Sequence, residues 1–204
     1  MFHWKNDGKF CMPDVDKKWI LVDIGNTWVR TAPLINGRMG RVERIDTTAV
    51  RQGDAEGLAS VFPADTRSPV LISSVVPDVE KRVTTLLGQW RVHCVSTERA
   101  RDIDFSKVDA RTLGQDRIAN SVAALEIAEP PVIVVDCGSA VTTEVIDAER
   151  CFRGGAILPG RSMQRRALHD YTGQLPHIPL DDVLHSAVGG NTMQAIGGGV
   201  DVGL

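Results

Sequence analysis

One arrangement occurs twice and constrains this chain more than any other feature: an apolar run that ends on Asp, any residue, Gly and a small polar side chain. In the first copy Ile20-Leu21-Val22 leads into Asp23-Ile24-Gly25-Asn26-Thr27; in the second, Val132-Ile133-Val134-Val135 leads into Asp136-Cys137-Gly138-Ser139-Ala140. Runs of apolar and β-branched residues suit buried strands, and each carboxylate then falls where a strand runs out. Gly25 permits a positive φ, and its missing Cβ lets a bulky anion approach the amides of Ile24 to Thr27. Asp23 is placed to hold Mg²⁺ against that anion, while Asn26 and Thr27 offer hydrogen bonds to its oxygens. A single Asp-Ile-Gly-Asn-Thr stretch is an ordinary turn, since Asp, Gly and Asn are common turn formers. Two facing copies form a clamp for a chain of phosphates.

Both copies continue alike. Thr27 to Leu34 is followed by Asn36-Gly37, a strong hairpin signal, and Val141 to Asp147 by a short polar turn. Each half therefore opens with a β meander. In the first half, 69–77 is a buried strand closed by proline, and Asp78 caps a helix from Val79 to Leu87 whose apolar face is Val79, Val83, Leu86 and Leu87. Gly88 ends that helix, and a strand from Arg91 to Val95 returns parallel through the crossover. The segment Ile45 to Arg67 is polar and ambiguous, with a weak helical pattern at 54–61. The charged stretch Thr97 to Thr112 predicts a surface loop. Gly114-Gln115-Asp116-Arg117 opens a helix carried by Ile118, Val122, Leu125 and Ile127 to about Ala128, where Pro130 and Pro131 stop it. Asp116 has a structural use as a cap or dipole partner. Arg117 opposes the dipole from the first turn, which points to another task. In the second half 153–160 predicts one strand framed by glycines, and 162–169 a short helix with Arg165 and Arg166 as surface charge. The loop 171–179 follows, then a helical run at 193–196 that dissolves into Gly197-Gly198-Gly199. The expected organisation is an N-terminal extension (1–18, loosely ordered), a first half (19–130) and a second half (131–204).

With 204 residues, 43% of them hydrophobic, and a net charge of −3, the chain can bury a sizeable core and has no basic stripe for nucleic acid. Apolar runs are too short for a membrane span and residues 1–18 lack the apolar core of a signal peptide, so a soluble, cytoplasmic protein is expected. Cys11, Cys94, Cys137 and Cys151 show neither zinc nor redox spacing, and are expected as free, mostly buried thiols.

These motifs, in this order, resemble the type III pantothenate kinases of the actin-like ATPase superfamily. Asp23 to Thr27 matches that family's first phosphate motif, Ser74-Val75-Val76-Pro77 its strand end and Gly114 to Arg117 its pantothenate motif. Asp136 to Ser139 matches the second phosphate motif and 154–160 the following strand and turn. Ala167-Leu168, 172–176 and Gly190-Asn191-Thr192 continue the match. The resemblance implies an α/β, duplicated actin-like (ribonuclease H-like) fold with two meander-led halves, the second shortened. It implies transfer of the ATP γ-phosphate to pantothenate, the first step toward coenzyme A.

By the same resemblance Asp23, Ile24, Gly25, Asn26, Thr27, Trp28, Val29 and Arg30 would wrap the ATP phosphates, with Asp23 on the Mg²⁺ side and Ser139 also touching ATP. Gly114, Gln115, Asp116 and Arg117 would bind pantothenate, Asp116 as general base and Arg117 as partner of an anionic group, with Thr192 assisting. Asp136 would hold a monovalent cation, K⁺ or NH₄⁺. Ser139 stands for the usual Thr, Thr143-Glu144 for an aromatic residue and Asp, Gly173 for Ala and Arg30 for Lys. Family members continue beyond the position of Leu204, so weak ATP binding is expected, together with a homodimer whose interface includes 162–169 and the loop to Leu175. Two other classes stay open: a non-catalytic regulatory or binding homologue, and a phosphatase acting on phosphate chains. The intact Asp23, Asp116 and Asp136 argue against the former, and Gly114 to Arg117 against the latter.

Overall fold

The computed structural model describes residues 3–4, 10–11, 18–63, 68–182 and 186–203. The loosely ordered extension expected at 1–18 lies outside these residues except for Lys18 and two short strands, β1 (His3–Trp4) and β2 (Phe10–Cys11), which pair antiparallel. The chain forms two compact units of mixed α/β structure: residues 1–134 with 144–154, and 135–143 with 155–204.

In the first unit β3 (Trp19–Ile24) and β4 (Trp28–Ile35) form the expected antiparallel meander, with β5 (Arg38–Met39) and β6 (Glu43–Asp46) both paired to β4. Asn36 and Gly37 have φ of 51° and 72°, the left-handed pair that a tight hairpin requires. Within the segment 45–67, the described residues 45–63 carry two short helices where the sequence was ambiguous. Asp46 caps α1 (Thr47–Gln52) by accepting from the amides of Thr48 and Ala49, and Asp54 caps α2 (Ala55–Ser60) by accepting from Gly57. The two N-cap aspartates, eight residues apart, are the signal that the sequence carries for them.

β7 (Val70–Ser74) joins the sheet parallel to β3, and after α3 (Pro77–Leu87) the strand β8 (Val92–Cys94) lies parallel to β7. Val79, Val83 and Leu87 of α3 are buried, whereas Leu86 is exposed; Asp78 does not cap this helix but pairs with Arg51 at 2.7 Å from within its first turn. The buried face packs on Ile20, Val22, Ile24, Val70 and Ile72 of β3 and β7. At about 1.5–3 kcal/mol for each fully buried aliphatic side chain, this cluster is the main source of cohesion in the sheet.

The charged stretch 97–112 is not a plain surface loop. Ala100, Ile103 and Phe105 are buried in a second cluster with Ile118, Ile146 and Phe152, and the stretch ends in a 3₁₀ turn, Ala110–Thr112. α4 (Gln115–Ile127) contributes Ile118, but Ile127 at its end is exposed. β9 (Val132–Cys137) and β10 (Ala140–Ile146) form the second meander, with β11 (Phe152–Gly154) against the far end of β10.

In the second unit β12 (Ile157–Pro159) pairs with the near end of β10, so the single strand expected at 153–160 is two strands that both pair with β10. α5 (Arg161–Asp170) follows, then α6 (Thr192–Gly197), which runs on as a π-helical turn, Gly198–Val202, instead of dissolving at its glycines. Arg165 is not surface charge: it is 2% exposed, and its guanidinium donates to the carbonyls of Pro179 and Asp182 and to Asp201 Oδ2 at 2.6 Å. Arg161 Nε reaches the other oxygen of Asp201 at 2.8 Å. Arg166 is exposed and pairs with Asp170 on its own helix. Among the described residues the cysteines are free: Cys151 is buried, Cys94 half-buried and Cys137 exposed.

Phe152 is fully buried, with its ring 5.4 Å from that of Phe105. Phe152→Ala is expected to lower the unfolding free energy by about 3–5 kcal/mol in urea denaturation followed by circular dichroism. A loss below about 1 kcal/mol would mean that the second cluster is not a packed core.

Candidate active site

The first carboxylate turn is built by strand register. Ile24 lies opposite Val29 and Asp23 opposite Arg30, and the amide of Gly25 donates to the carbonyl of Trp28 at 3.0 Å, closing the turn. Thr47, fully buried at the start of α1, braces it from behind. Its hydroxyl donates to the carbonyl of Gly25 at 2.8 Å and its amide to that of Thr27 at 3.0 Å. The sequence offered no sign of this brace, because Thr47 is distant in the chain and sits in the stretch whose structure was ambiguous.

Gly25 is not in the left-handed region, contrary to expectation, and a Cβ added there would meet nothing closer than the carbonyl of Trp28 at 3.5 Å. The fold does not require glycine at 25; open space in front of the turn remains as the use for it. Asp23 Oδ2 accepts from Arg30 Nη1 at 2.9 Å, both side chains about half exposed. Such an exposed pair contributes about 0–1 kcal/mol and is readily exchanged for a stronger partner. A lone carboxylate beside phosphate oxygens is a common way for proteins to hold Mg²⁺, so the donor set fits that ion. Among the described residues no group of three or more His, Cys, Asp or Glu side chains is gathered as a metal cage.

The Gly114 to Arg117 motif is brought to the same sheet. β3 and β7 run parallel, with Asp23 beside Ser73 and Ile24 beside Ser74. The amide of Ser74 donates to Gln115 Oε1 at 3.0 Å, which ties the start of α4 to the carboxyl end of β7. Ligand crevices of open α/β sheets lie at these carboxyl ends. Gly114 is the N-cap, without a side-chain hydrogen bond, so Asp116 is not the cap. Its carboxylate accepts from the amide of Arg117 at 2.8 Å and folds back over Gly114, where an added Cβ would lie 2.5 Å from Oδ1. Glycine at 114 makes that pose possible. Arg117 turns away to the buried Glu144 of β10, Nε to Oε1 at 2.9 Å, with its guanidinium carbon 5.7 Å from the centre of the Phe152 ring. This pairing of Arg117 with Glu144 was not foreseen, since a charged residue on an alternating strand ordinarily faces water.

In the second unit the Asp136 turn is one residue tighter than the first, the amide of Gly138 donating to the carbonyl of Ala140 at 2.9 Å. Asp136 and Cys137 are exposed and Ser139 half-buried. Gly160 seals the turn from below: its amide donates to Ser139 at 3.0 Å, and a Cβ there would sit 2.2 Å from the carbonyl oxygen of Gly138 and 2.7 Å from that of Ser139. A turn of carbonyls and carboxylate offers oxygen ligands only, which suits a hard cation such as K⁺. Thr192 is exposed at the first position of α6, whose cap Asn191 accepts from the amide of Gln194.

Residues 19–204 match the family model described as type III pantothenate kinase. The type III pantothenate kinase of Rubrobacter xylanophilus is 30% identical over 87% of this chain and 71% of its own length. That of Listeria innocua is 30% identical over 91% and 75%, and that of Thermosipho melanesiensis 32% identical over 79% and 66%. A solved Baf family protein from Campylobacter jejuni shares the fold with a TM-score of 0.57, at 22% identity over 90% of this chain and 74% of that one.

The glycines separate two demands. Gly25→Ala is expected to change stability by less than about 1 kcal/mol, whereas Gly160→Ala forces backbone apart and costs more than about 2 kcal/mol. Thermal unfolding of the two variants compares them; an equal cost at both positions would remove the case that Gly25 is kept for something outside the fold.

Proposed function

This chain belongs to the type III pantothenate kinase family, and from that premise we propose how its two carboxylate turns and the Gly114 to Arg117 corner divide the work of an ATP-dependent pantothenate kinase. The substrates are ATP and pantothenate, and the product, 4'-phosphopantothenate, enters coenzyme A synthesis. The observation that carries the assignment is the Ser74–Gln115 hydrogen bond of 3.0 Å, which holds Asp116 at the carboxyl end of the parallel pair that also carries Asp23.

In this reading the amides of Ile24, Gly25, Asn26 and Thr27 receive phosphate oxygens, with Trp28, Val29 and Arg30 completing the wrap. Arg30 exchanges Asp23 for phosphate, leaving Asp23 to hold Mg²⁺. Bound there, Mg²⁺ supplies charge neutralisation for the transferring phosphoryl group. Asp116 accepts the proton of the pantothenate hydroxyl as that oxygen attacks the γ-phosphorus and the bond to the β-bridging oxygen breaks. Its support is its pose over Gly114 at the start of α4, the helix end that Gln115 ties to the carboxyl end of β7. Gly114, Gln115 and Thr192 contact pantothenate, and Arg117 takes its carboxylate. Asp136 holds K⁺ or NH₄⁺ and Ser139 contacts ATP.

Phosphoryl transfer depends mainly on positioning and charge neutralisation, which this set supplies. The duplicated actin-like architecture is part of the proposal, supported by the two meanders of like construction. A cytoplasmic location is consistent with the absence, among the described residues, of any helix long and apolar enough to cross a membrane. A homodimer through α5 is supported by Met163 and Tyr171, which are exposed on that helix and at its end. The three carboxylates favour catalysis over a non-catalytic binding role, and no observation favours the regulatory alternative.

ADP release measured with and without pantothenate tests the assignment directly: release that ignores pantothenate would overturn it. Asp116→Asn should keep pantothenate binding while lowering turnover by about two orders of magnitude or more; turnover like wild type would reduce Asp116 to a helix-end residue. Activity should rise when K⁺ or NH₄⁺ replaces Na⁺ at constant ionic strength, and indifference to the cation would free Asp136 of that role. Cys137 gives an independent probe of the second turn. It is exposed, while burial and the nearby Glu80 carboxylate push the Cys94 thiol up and Cys151 is buried. Alkylation of Cys137 by iodoacetamide, located by peptide mass mapping, should therefore precede that of Cys94 and Cys151 and slow in the presence of MgATP. Unchanged labelling would place the nucleotide elsewhere.

A further inference from the structure

Antiparallel register sets Asp23 opposite Arg30, and Arg30 opposite Arg44 of β6, so one carboxylate and two guanidinium side chains stand in a row across three neighbouring strands. The row lies on the face away from the apolar core, because Val22, Ile24 and Val29, which alternate with it, are buried in that core. Asp23 is taken by Arg30 at 2.9 Å. Arg44 is exposed, and no carboxylate among the described residues pairs with it. Asp46, on the same face of β6, caps α1 through the amides of Thr48 and Ala49, and Glu43 pairs with Arg41 at 3.0 Å. The guanidinium carbon of Arg44 lies instead 4.6 Å from the centre of the Trp28 ring. Resting on the assignment of the first turn to the ATP phosphates, we propose that Arg44 is a further phosphate-binding residue of that turn, held by β6 and Trp28 beside Arg30 to contact the phosphate chain.

Like charges directly opposite each other across a strand pair destabilise a sheet, and the one carboxylate in the row offsets only one of the two. A stack of arginine on an aromatic ring explains where Arg44 rests, but not why it is set opposite another arginine. An anion with several oxygens explains both. A polyphosphate carries more than one negative charge and accepts from two guanidinium groups at once, each a planar fork that matches phosphate oxygens. Stacking occupies the face of the Arg44 guanidinium and leaves its in-plane N–H groups, which have no acceptor among the described residues.

Trp28 joins Arg44 to the turn itself. Its carbonyl accepts from the amide of Gly25 at 3.0 Å, while its ring carries the guanidinium. The arrangement also bears on how Asp23 is released to Mg²⁺. When Asp23 leaves Arg30, two cations face each other without a counter-charge, and the phosphates that arrive with the ion relieve them. Arg44 thereby makes that exchange depend on the polyphosphate and not on Mg²⁺ alone.

Steady-state kinetics and calorimetric titration with tripolyphosphate test this, both at about 0.15 M salt, where exposed charges more than about 8 Å apart are largely screened. Arg44→Ala should raise the KM for MgATP and the Kd for tripolyphosphate about tenfold or more, with the KM for pantothenate within about twofold. Arg44→Lys keeps the charge without the planar fork, and both values should fall between those of wild type and the alanine variant. An unchanged KM for MgATP or an unchanged Kd for tripolyphosphate in a folded alanine variant overturns the proposal. So does a lysine variant no better than alanine, or a parallel rise in both KM values, the outcome of a merely structural role. If Arg44→Ala does not fold, as judged by circular dichroism, Arg44→Gln takes its place under the same limits. Arg30→Ala is the reference for the parent assignment. If it too leaves tripolyphosphate binding unchanged, the first turn is not the phosphate site and both readings fall; if it weakens binding while the Arg44 variants do not, only this one falls.

Discussion

Parallel pairing of β3 with β7 sets Ile20 beside Val70 and Ile24 beside Ser74, and that register decides what meets at the carboxyl end of the first sheet. Slipping it by one residue would turn Ile20, Val22 and Ile24 away from the core. Hydrophobic burial thus enforces the register, and the register places Asp23 beside Ser73 and Ile24 beside Ser74 on neighbouring strands. The amide of Ser74 then finds Gln115 instead of a strand partner, and α4 begins where Asp116 belongs. The polar side chains of the site inherit their placement from an apolar core in which Ile24 and Val29, on either side of the first turn, are themselves buried.

Glycine serves three separate ends in these turns. At 37 it accepts a left-handed φ for the hairpin, and at 160 it lets one backbone lie against the carbonyls of Gly138 and Ser139. At 114 it makes room for a carboxylate two residues on. Gly25 and Gly138 answer to none of these needs: each has an ordinary φ, and an added Cβ would touch only a carbonyl at 3.5 Å. The fold can spare the glycines of the two Asp-x-Gly turns, as it can Gly173 and Gly199, and in the turns close approach by a ligand is a remaining physical use.

The parts of the structure that were legible in the sequence are those whose signals are local. The β3–β4 meander, the Asn36-Gly37 hairpin, the β7–α3–β8 crossover and the extent of α4 follow from periodicity and turn chemistry within short windows. Helix faces were read less well, because Leu86 and Ile127 obey the helical period but lie where no partner covers them. The stretch 97–112 misled for the opposite reason: its Ile103 and Phe105 are spaced among charges without a period, yet Asp104 bridges to Cys151 and carries them into the interior. Caps at Asp46 and Asp54 were visible but lacked an apolar run long enough to confirm a helix. Thr47 behind the first turn, and Gln115 under the second motif, act across the chain and leave no local trace.

Buried charge is where sequence and structure diverge most, and the two cases differ in physical kind. Arg165 spends its donors on two carbonyls and Asp201, and Arg161 shares the same carboxylate, so one anion and two backbone carbonyls fasten α5 to the π-helical turn and to 179–182. Even so, Arg165 Nε and one Nη of Arg161 are buried without a partner among the described residues. Arg117 meets the fully buried Glu144 through Nε, and the second oxygen of Glu144 is unmatched among the described residues. Removing either partner of such a buried pair strands the charge of the other in the interior.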